Sequence, residues 1–178
     1  MYGPWVKRHE GRRAVNGSAL SARDSVRVVP LQPADHARWL ELWAEYQRFY
    51  VVVLPAAATL ATWQRILDGR VRGLCARDPA DRILGIVHFL FHEDTWSTQH
   101  ACYLEDLYVD PAARGMGCGR LLIEAVAAAS KAAGAMSPYW LTHETNAVAR
   151  RLYDRVGKNL GFIQYAFTAP GEIGHAAR

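Results

Sequence analysis

Hydrophobic positions recur along this chain with two periods, and the switches between them mark its elements. Val26, Val28 and Val29 predict a first strand, which Pro30 stops. Pro33 to Tyr50 reads as a helix, because Trp39, Leu42, Trp43, Tyr46 and Phe49 fall on one stripe. Pro55 opens a second helix that carries Leu60, Trp63, Ile66 and Leu67 and stops at Gly69. Leu74–Arg77 and Ile83–Phe91 read as strands joined by the turn Asp78-Pro79-Ala80-Asp81. His92–Gln99 is polar and reads as a loop, and Cys102–Val109 is a strand ended by Asp110-Pro111. Beyond a Gly-rich turn, Leu121, Leu122, Ala125, Val126 and Ala129 follow helical spacing up to Gly134. Tyr139–Thr142 predicts a strand, Asn146–Val156 a short helix and Phe162–Phe167 a closing strand. Helices alternate with strands and hairpins also occur, so the expected fold is α/β, with a mixed sheet in one three-layer core.

Composition narrows the class. The 178 residues suffice for one domain with a real core. Hydrophobic residues at 51% and charged residues at 21% fit a globular chain rather than a disordered one. Residues 1–24 are rich in Gly, Ser, Ala and Arg and lack periodicity, so they read as a flexible extension; residues 25–170 form the domain and 171–178 a tail. No apolar run is long enough to span a bilayer, and the basic start is not followed by the apolar segment of a secretory signal. Cys75, Cys102 and Cys118 are odd in number and widely spaced, which argues for a reducing cytoplasm and against a disulfide framework or a zinc site. The net charge of +4 is mild and several of the cations lie near the start, so no nucleic-acid groove is expected. No membrane partner is expected either.

The chemistry concentrates at Arg114-Gly115-Met116-Gly117-Cys118-Gly119-Arg120, between a strand and a helix. Glycines here admit backbone angles that other residues resist and let a ligand approach the main chain. Main-chain N–H groups converging at a helix start carry about half a positive charge, which suits a phosphate. Arg114 and Arg120 add charge. A P-loop would need Gly-Lys-Ser/Thr, where Gly119-Arg120-Leu121 stands. A dinucleotide fold would put GxGxxG after an early strand, whereas the spacing here is GxGxG and lies late.

Arg114-Gly115-Met116-Gly117-Cys118-Gly119 resembles the Arg/Gln-x-x-Gly-x-Gly/Ala signature of the GNAT superfamily of N-acetyltransferases, and the likeness runs from about Val26 to Phe167. It implies a mixed, mostly antiparallel twisted sheet, splayed between strands 4 and 5 and flanked by about four helices. It also implies that acetyl-CoA is the co-substrate, with no metal. The turn 114–120 would bind the pyrophosphate through Arg114, Gly115, Met116, Gly117, Cys118, Gly119 and Arg120. Leu107, Tyr108 and Val109 would hold the pantetheine arm as an added strand. Leu104-Glu105-Asp106 and the helix holding Asn146 and Tyr153 look like the diamine/polyamine and histone-and-polyamine branch, whose members are often dimers. Nothing else in the chain decides whether this one forms a homodimer.

Any primary amine poses the same problem to such an enzyme. Its pKa is about 10.4, so freeing the neutral form at pH 7 costs roughly 4–5 kcal/mol. Glu105 and Asp106 are the candidate bases; as neighbours on a strand they point to opposite faces unless a bulge re-aims them. The resemblance favours Glu105, acting through a water. Asn146 and Tyr153 are seven apart, hence on one helical face, and Asn146 also suits an N-cap. By resemblance Asn146 touches the cofactor arm and Tyr153 protonates the departing thiolate. Cys118, at a helix start, offers a rival covalent route. His88 and His92 lack a third metal ligand at short spacing, and His143 is either a lining residue or a loop histidine. Trp39, Trp43, Tyr46, Phe49 and Trp63 read as core, some of them walling the acceptor pocket. Glu41, Glu45, Glu93 and Asp94 read equally as a lure for a cation or as a solvated face. The expected activity is transfer of acetyl to a primary amine in a ternary complex, the acceptor being polyamine-like, lysine-like or a peptide. The other readings are a non-catalytic CoA-binding module and a nucleic-acid-binding domain.

Overall fold

The computed structural model describes residues 25–167. The extension 1–24, the tail 171–178 and the expected domain boundary at 170 lie outside the described residues. Four strands form one sheet in sequential order, every neighbour antiparallel: β1 (Arg27–Pro30), β2 (Arg72–Arg77), β3 (Ile83–His92) and β4 (Ala101–Val109). Two helices, α1 (His36–Phe49) and α2 (Ala56–Leu67), connect the first two strands. Helices α3 (Cys118–Ala132) and α4 (Ala147–Val156) follow the sheet. The expected first helix begins one turn late, because Pro33–Asp35 forms a tighter 3-10 turn before it.

β3 is the centre of the core. Its residues from Ile83 to Phe89 are all buried, because helices cover both faces of the sheet. On one face Val87, Phe89, Cys102 and Leu104 meet Leu122, Ile123 and Val126 of α3. On the other, Ile86, Cys75 and Tyr108 meet Trp39, Leu42 and Trp43 of α1 and Trp63 and Ile66 of α2. Trp39 is fully buried, as helical spacing predicts, but Phe49 is half exposed at the end of its helix. A buried ion pair between Asp35 and Arg77, 2.5 Å long, ties the entry to α1 onto β2, and Asp35 also accepts from the Gln32 amide at 2.8 Å.

The pairing of β3 with β4 contains one irregularity that matters for the site. His88 faces Asp106 but Phe89 faces Leu104, so Glu105 is an extra residue, a β-bulge. Side chains alternate along a strand, and an inserted residue inverts the alternation beyond it. Cys102 and Leu104 accordingly point toward α3, while Tyr108 points toward α1.

Two expected strands did not form. The segment after α3 runs beside β4 only briefly. Met136 donates to the His100 carbonyl, Tyr139 donates to Cys102, and Leu104 donates to Tyr139, at 2.9–3.0 Å. The Tyr103–Tyr139 bridge is parallel and stands alone where Tyr139–Thr142 was expected to be a strand. Trp140 explains the departure, since its ring packs on Tyr153 of α4, with centroids 5.4 Å apart, and draws the chain off the edge. Phe162–Phe167 joins no ladder, and Phe162, Tyr165 and Phe167 are each at least 85% exposed. The strand it would join ends after one bridge. The second half of β4 thus has β3 on one side and a gap on the other. The Asp110 amide donates inward to Leu84, so alternation turns the main-chain groups of Leu107 and Val109 to the gap.

The close β3–β4 packing can be tested at Gly85, which lies opposite Val109. A Cβ there would sit 2.7 Å from the Tyr108 carbonyl oxygen and 3.2 Å from a Val109 methyl. Gly85→Ala should therefore destabilise the protein by about 1–3 kcal/mol, read as a lower urea midpoint with an unchanged m-value.

Candidate active site

Beside the gap in the sheet lies an open cavity of about 660 Å³. That size is in the range of small-molecule and cofactor sites. One wall is Leu107, Tyr108 and Val109 of β4, and its floor is the turn from Ala113 to Arg120. The far wall is α4 with its cap Asn146, through Val148, Ala149, Leu152, Tyr153 and Arg155, and the roof is Tyr46 and Phe49 of α1 with Tyr50 just past its end. Every residue expected at the cofactor site lies on this one cavity: Leu107, Tyr108, Val109, Arg114, Gly115, Met116, Gly117, Cys118, Gly119, Arg120, Asn146 and Tyr153.

The floor is shaped for an anion. Gly117 caps α3 with φ +87°, a left-handed angle that L side chains resist. No side chain caps the helix, so the first amides of α3 point toward the cavity without a side-chain acceptor. The charged side chains on the wall are Arg114, Arg120 and Arg155, and none is a carboxylate. Arg114 is held by the Val109 carbonyl, 3.4 Å from Nε. Arg120 lies 3.7 Å from Glu124, one turn along the same helix. A helix N-terminus with three cations around it fits a diphosphate, and the open edge of β4 fits an amide-bearing arm laid along it. These residues therefore fit coenzyme A, and no metal would be required to hold it. Among the described residues, no group of three or more His, Cys, Asp or Glu side chains is gathered where it could bind a metal.

The Asn146 side chain caps α4, accepting from the Ala149 amide at 3.3 Å and donating to Thr142 at 3.2 Å. One N–H and one lone pair remain for a ligand. Burial, and then the nearby Tyr50, push the Tyr153 phenol up to about 12. It holds its proton at neutral pH, as a proton donor must.

Neither Glu105 nor Asp106 forms part of the cavity wall. Glu105 is exposed on the bulge, and Asp106 lies behind Tyr46. Cys118 contributes to the floor, but its residue is 1% exposed and burial raises its pKa, so the thiolate that a covalent route needs is disfavoured. His143 is an exposed loop residue bonded to Thr145 at 2.7 Å, off the cavity. Glu41 pairs with Arg38 at 2.6 Å, Glu45 with Arg48, and Glu93 with His100 at 3.0 Å, while Asp94 accepts from the Trp96 amide; none of the four lines the cavity. Sequence reasoning missed Tyr50 and Arg155. Tyr50 lies four residues beyond Tyr46, so the helical stripe already pointed to it. Arg155 carried no signal before α4 was placed.

Comparison with known proteins agrees with this geometry. Residues 39–158 match the model of the acetyltransferase (GNAT) family. D-amino-acid N-acetyltransferase HPA3 of Saccharomyces cerevisiae is 34% identical over 145 residues, covering 80% of this chain and 90% of that protein. Solved structures share the fold. AAC(6')-Iy, solved with the bisubstrate analog CoA-S-monomethyl-acetylneamine, superposes with a TM-score of 0.71 at 15% identity, covering 82% of this chain and 99% of that one. A ribosomal-protein-alanine N-acetyltransferase from Brucella melitensis biovar Abortus 2308 gives 0.69 at 19% identity, covering 81% and 99%. The chain belongs to the GNAT family of acetyltransferases and is an N-acetyltransferase that moves acetyl to an amine.

The raised Tyr153 pKa makes a prediction about stability. The folded phenol ionises near 12 and the unfolded one near its ordinary value of about 10, so between these pH values the native state binds the extra proton. Stability is then intact below pH ~10 and falls as pH rises toward ~12. Urea unfolding at pH 9 and pH 10.5 should show a larger loss in the wild type than in Tyr153→Phe.

Proposed function

We propose that this protein transfers acetyl from acetyl-CoA to the primary amine of a small acceptor, by direct attack with both substrates bound. One observation carries the reading: an uncapped helix start, an unpaired strand edge and a protonated buried phenol open onto one cavity. In this reading the amides of residues 115–120, with Arg114 and Arg120, grip the diphosphate. Leu107 and Val109 pair with the pantetheine arm and set the thioester carbonyl against a main-chain N–H of β4, which steadies the oxygen as it gains charge. Asn146 orients the arm from the opposite side. Tyr153 delivers its proton to the departing thiolate. A carboxylate at the bulge, Glu105 or Asp106, takes the proton that the amine must lose.

The acceptor class follows from the wall and from the relative. No acid lines the cavity, which is a poor surround for a polyamine, and Arg155, the lining arginine that the diphosphate does not engage, suits an amine that also bears a carboxylate. The yeast relative is named for D-amino acids. We therefore place amino-acid-like acceptors ahead of polyamine-like ones, with peptide amines third. The expected setting is the cytoplasm, as a homodimer; sedimentation of the purified chain checks the latter.

Two measurements test this. A thiol-release screen of D- and L-amino acids, diamines and short peptides should give turnover with small amines. Binding of CoA without turnover of any amine would make the chain a regulatory module instead. Tyr153→Phe should lower kcat by about 10²-fold or more. Calorimetric CoA affinity should stay within about twofold, because the phenol acts on the transition state rather than on binding. Unchanged kcat would remove Tyr153 from the reaction.

A further inference from the structure

Helix α4 is held to the molecule differently from the other three. Helices α1, α2 and α3 each carry buried residues, and α4 carries none. In α1, for instance, Trp39 donates its indole N–H to the buried His88 at 2.9 Å, and His88 is bonded to Asp106 at 3.0 Å. Helix α4 rests instead on the partly buried Leu152, Tyr153 and Val156, which pack against the layer under α3. Two glycines let its neighbours come close. A Cβ at Gly119, in the first turn of α3, would sit 3.0 Å from Leu152 Cδ2. A Cβ at Gly157, the C-cap of α4, would sit 2.9 Å from Trp140 Cη2 and 3.0 Å from its Cζ2. The backbone of Gly157 is extended, with φ −142°, so space rather than conformation calls for glycine there. The Trp140 ring thus touches Gly157 and, one turn back, the Tyr153 ring, with centroids 5.4 Å apart at a tilt of 58°. The Gly157 amide donates to the Tyr153 carbonyl at 2.7 Å, which joins the two contacts in a single turn. Tyr153 lines the cavity, and Trp140 is not among the lining residues.

We propose that Trp140, seated against Gly157, is a positioning residue for Tyr153 and sets how far the phenol reaches toward the sulfur of the thioester. This deepens the reading above in which Tyr153 is the proton donor, and it rests on that reading. A general acid must lie within hydrogen-bond reach of the atom it protonates, and a misplacement of about 1 Å costs on the order of 10²-fold. Helix α4 does not set that reach by itself. It has no buried anchor, Tyr153 lies in its last turn, and helix ends fray. The indole supplies the missing constraint, because its own chain is tied to β4 one residue earlier, through Tyr139 and the main chain of Cys102 and Leu104. Tyr153 is thereby referred to the strand along which the arm would lie. In the reaction the lone pair of the neutral amine forms the C–N bond as the C–S bond breaks, and the electron pair of the broken bond stays on sulfur. The Tyr153 proton passes to the sulfur, and the proton that nitrogen sheds on becoming an amide restores the phenol. Trp140 exchanges no proton and contributes geometry alone.

The test uses the full-length protein and an amine that the wild type acetylates. Trp140→Leu removes the ring and should lower kcat by about 10- to 100-fold, with the calorimetric CoA affinity within about threefold. Trp140→Phe keeps an aromatic face and should recover most of kcat. Gly157→Ala disturbs the same contact from the other side and should repeat the loss, so it carries the test if Trp140→Leu fails to fold. In a Tyr153→Phe background, either substitution should cost less than about a further twofold, because the group being positioned no longer has a proton to give. A second readout varies the leaving group. The acetyl selenoester of CoA expels a more acidic selenol that needs less proton help, so Trp140→Leu and Tyr153→Phe should both lose much less kcat with it than with the thioester. A merely structural role would lower turnover of the two donors alike. Wild-type kcat in both Trp140→Leu and Gly157→Ala, losses that multiply with Tyr153→Phe, or weakened CoA binding as the main effect would each overturn the positioning role and leave acetyl transfer standing. Wild-type kcat in Tyr153→Phe would overturn the proton-donor reading, and the positioning role with it. A wild type that binds CoA but acetylates no amine would overturn both together with the proposed activity.

Discussion

A strand that carries one residue more than its neighbour has to change which side its next side chains face, and Glu105 is that residue in β4. Without it, Asp106 and Tyr108 would continue the alternation of Cys102 and Leu104 into the apolar layer beneath α3. A carboxylate there would be buried among Leu122, Ile123 and Val126 with no partner, at a cost of several kcal/mol. With the bulge, Tyr108 packs among the tryptophans of α1 and α2, and Asp106 meets His88 and Tyr46. The same distortion precedes the stretch of β4 whose outer edge is unpaired. One inserted residue therefore sets the polar interior, just ahead of the open edge.

The cavity depends on a second choice made by the chain after α3. Three main-chain bonds start to zip residues 136–139 alongside β4, and then Trp140 leaves to pack, tilted, on Tyr153. A longer ladder would fill the gap with protein and leave no edge for a ligand. Packing of one aromatic pair thus competes with strand pairing, and its success separates the two halves of the site. Arg114 is fixed by the same strand end, through the Val109 carbonyl.

Much of this was legible in the sequence. The helical stripe of Trp39, Leu42 and Trp43, the run Ile83–Phe91 and the Gly-rich turn placed the layers and the cavity floor, because periodicity and glycine report local geometry. Asn146 and Tyr153 were legible as a pair because seven residues make two helical turns. Glu105 and Asp106 were visible as carboxylates, but their faces were not, since a bulge is a property of two strands and shows in neither alone. The pairing of His88 with Trp39 joins positions 49 apart and leaves no local trace. The expected strands at Tyr139–Thr142 and Phe162–Phe167 failed for a related reason. Alternating apolar residues say that a segment can be extended, and only the presence of a free neighbour says that it pairs.

The unpaired flank of β4 has a meaning beyond recognition. Main-chain groups of Leu107 and Val109 stand ready to bond, and such an edge accepts any extended chain that reaches it, including one from a neighbouring molecule. Whatever lies along that cleft in the working state also shields it. Occupancy of the groove would then protect the protein from self-association in a crowded solution, quite apart from supplying the group to be transferred.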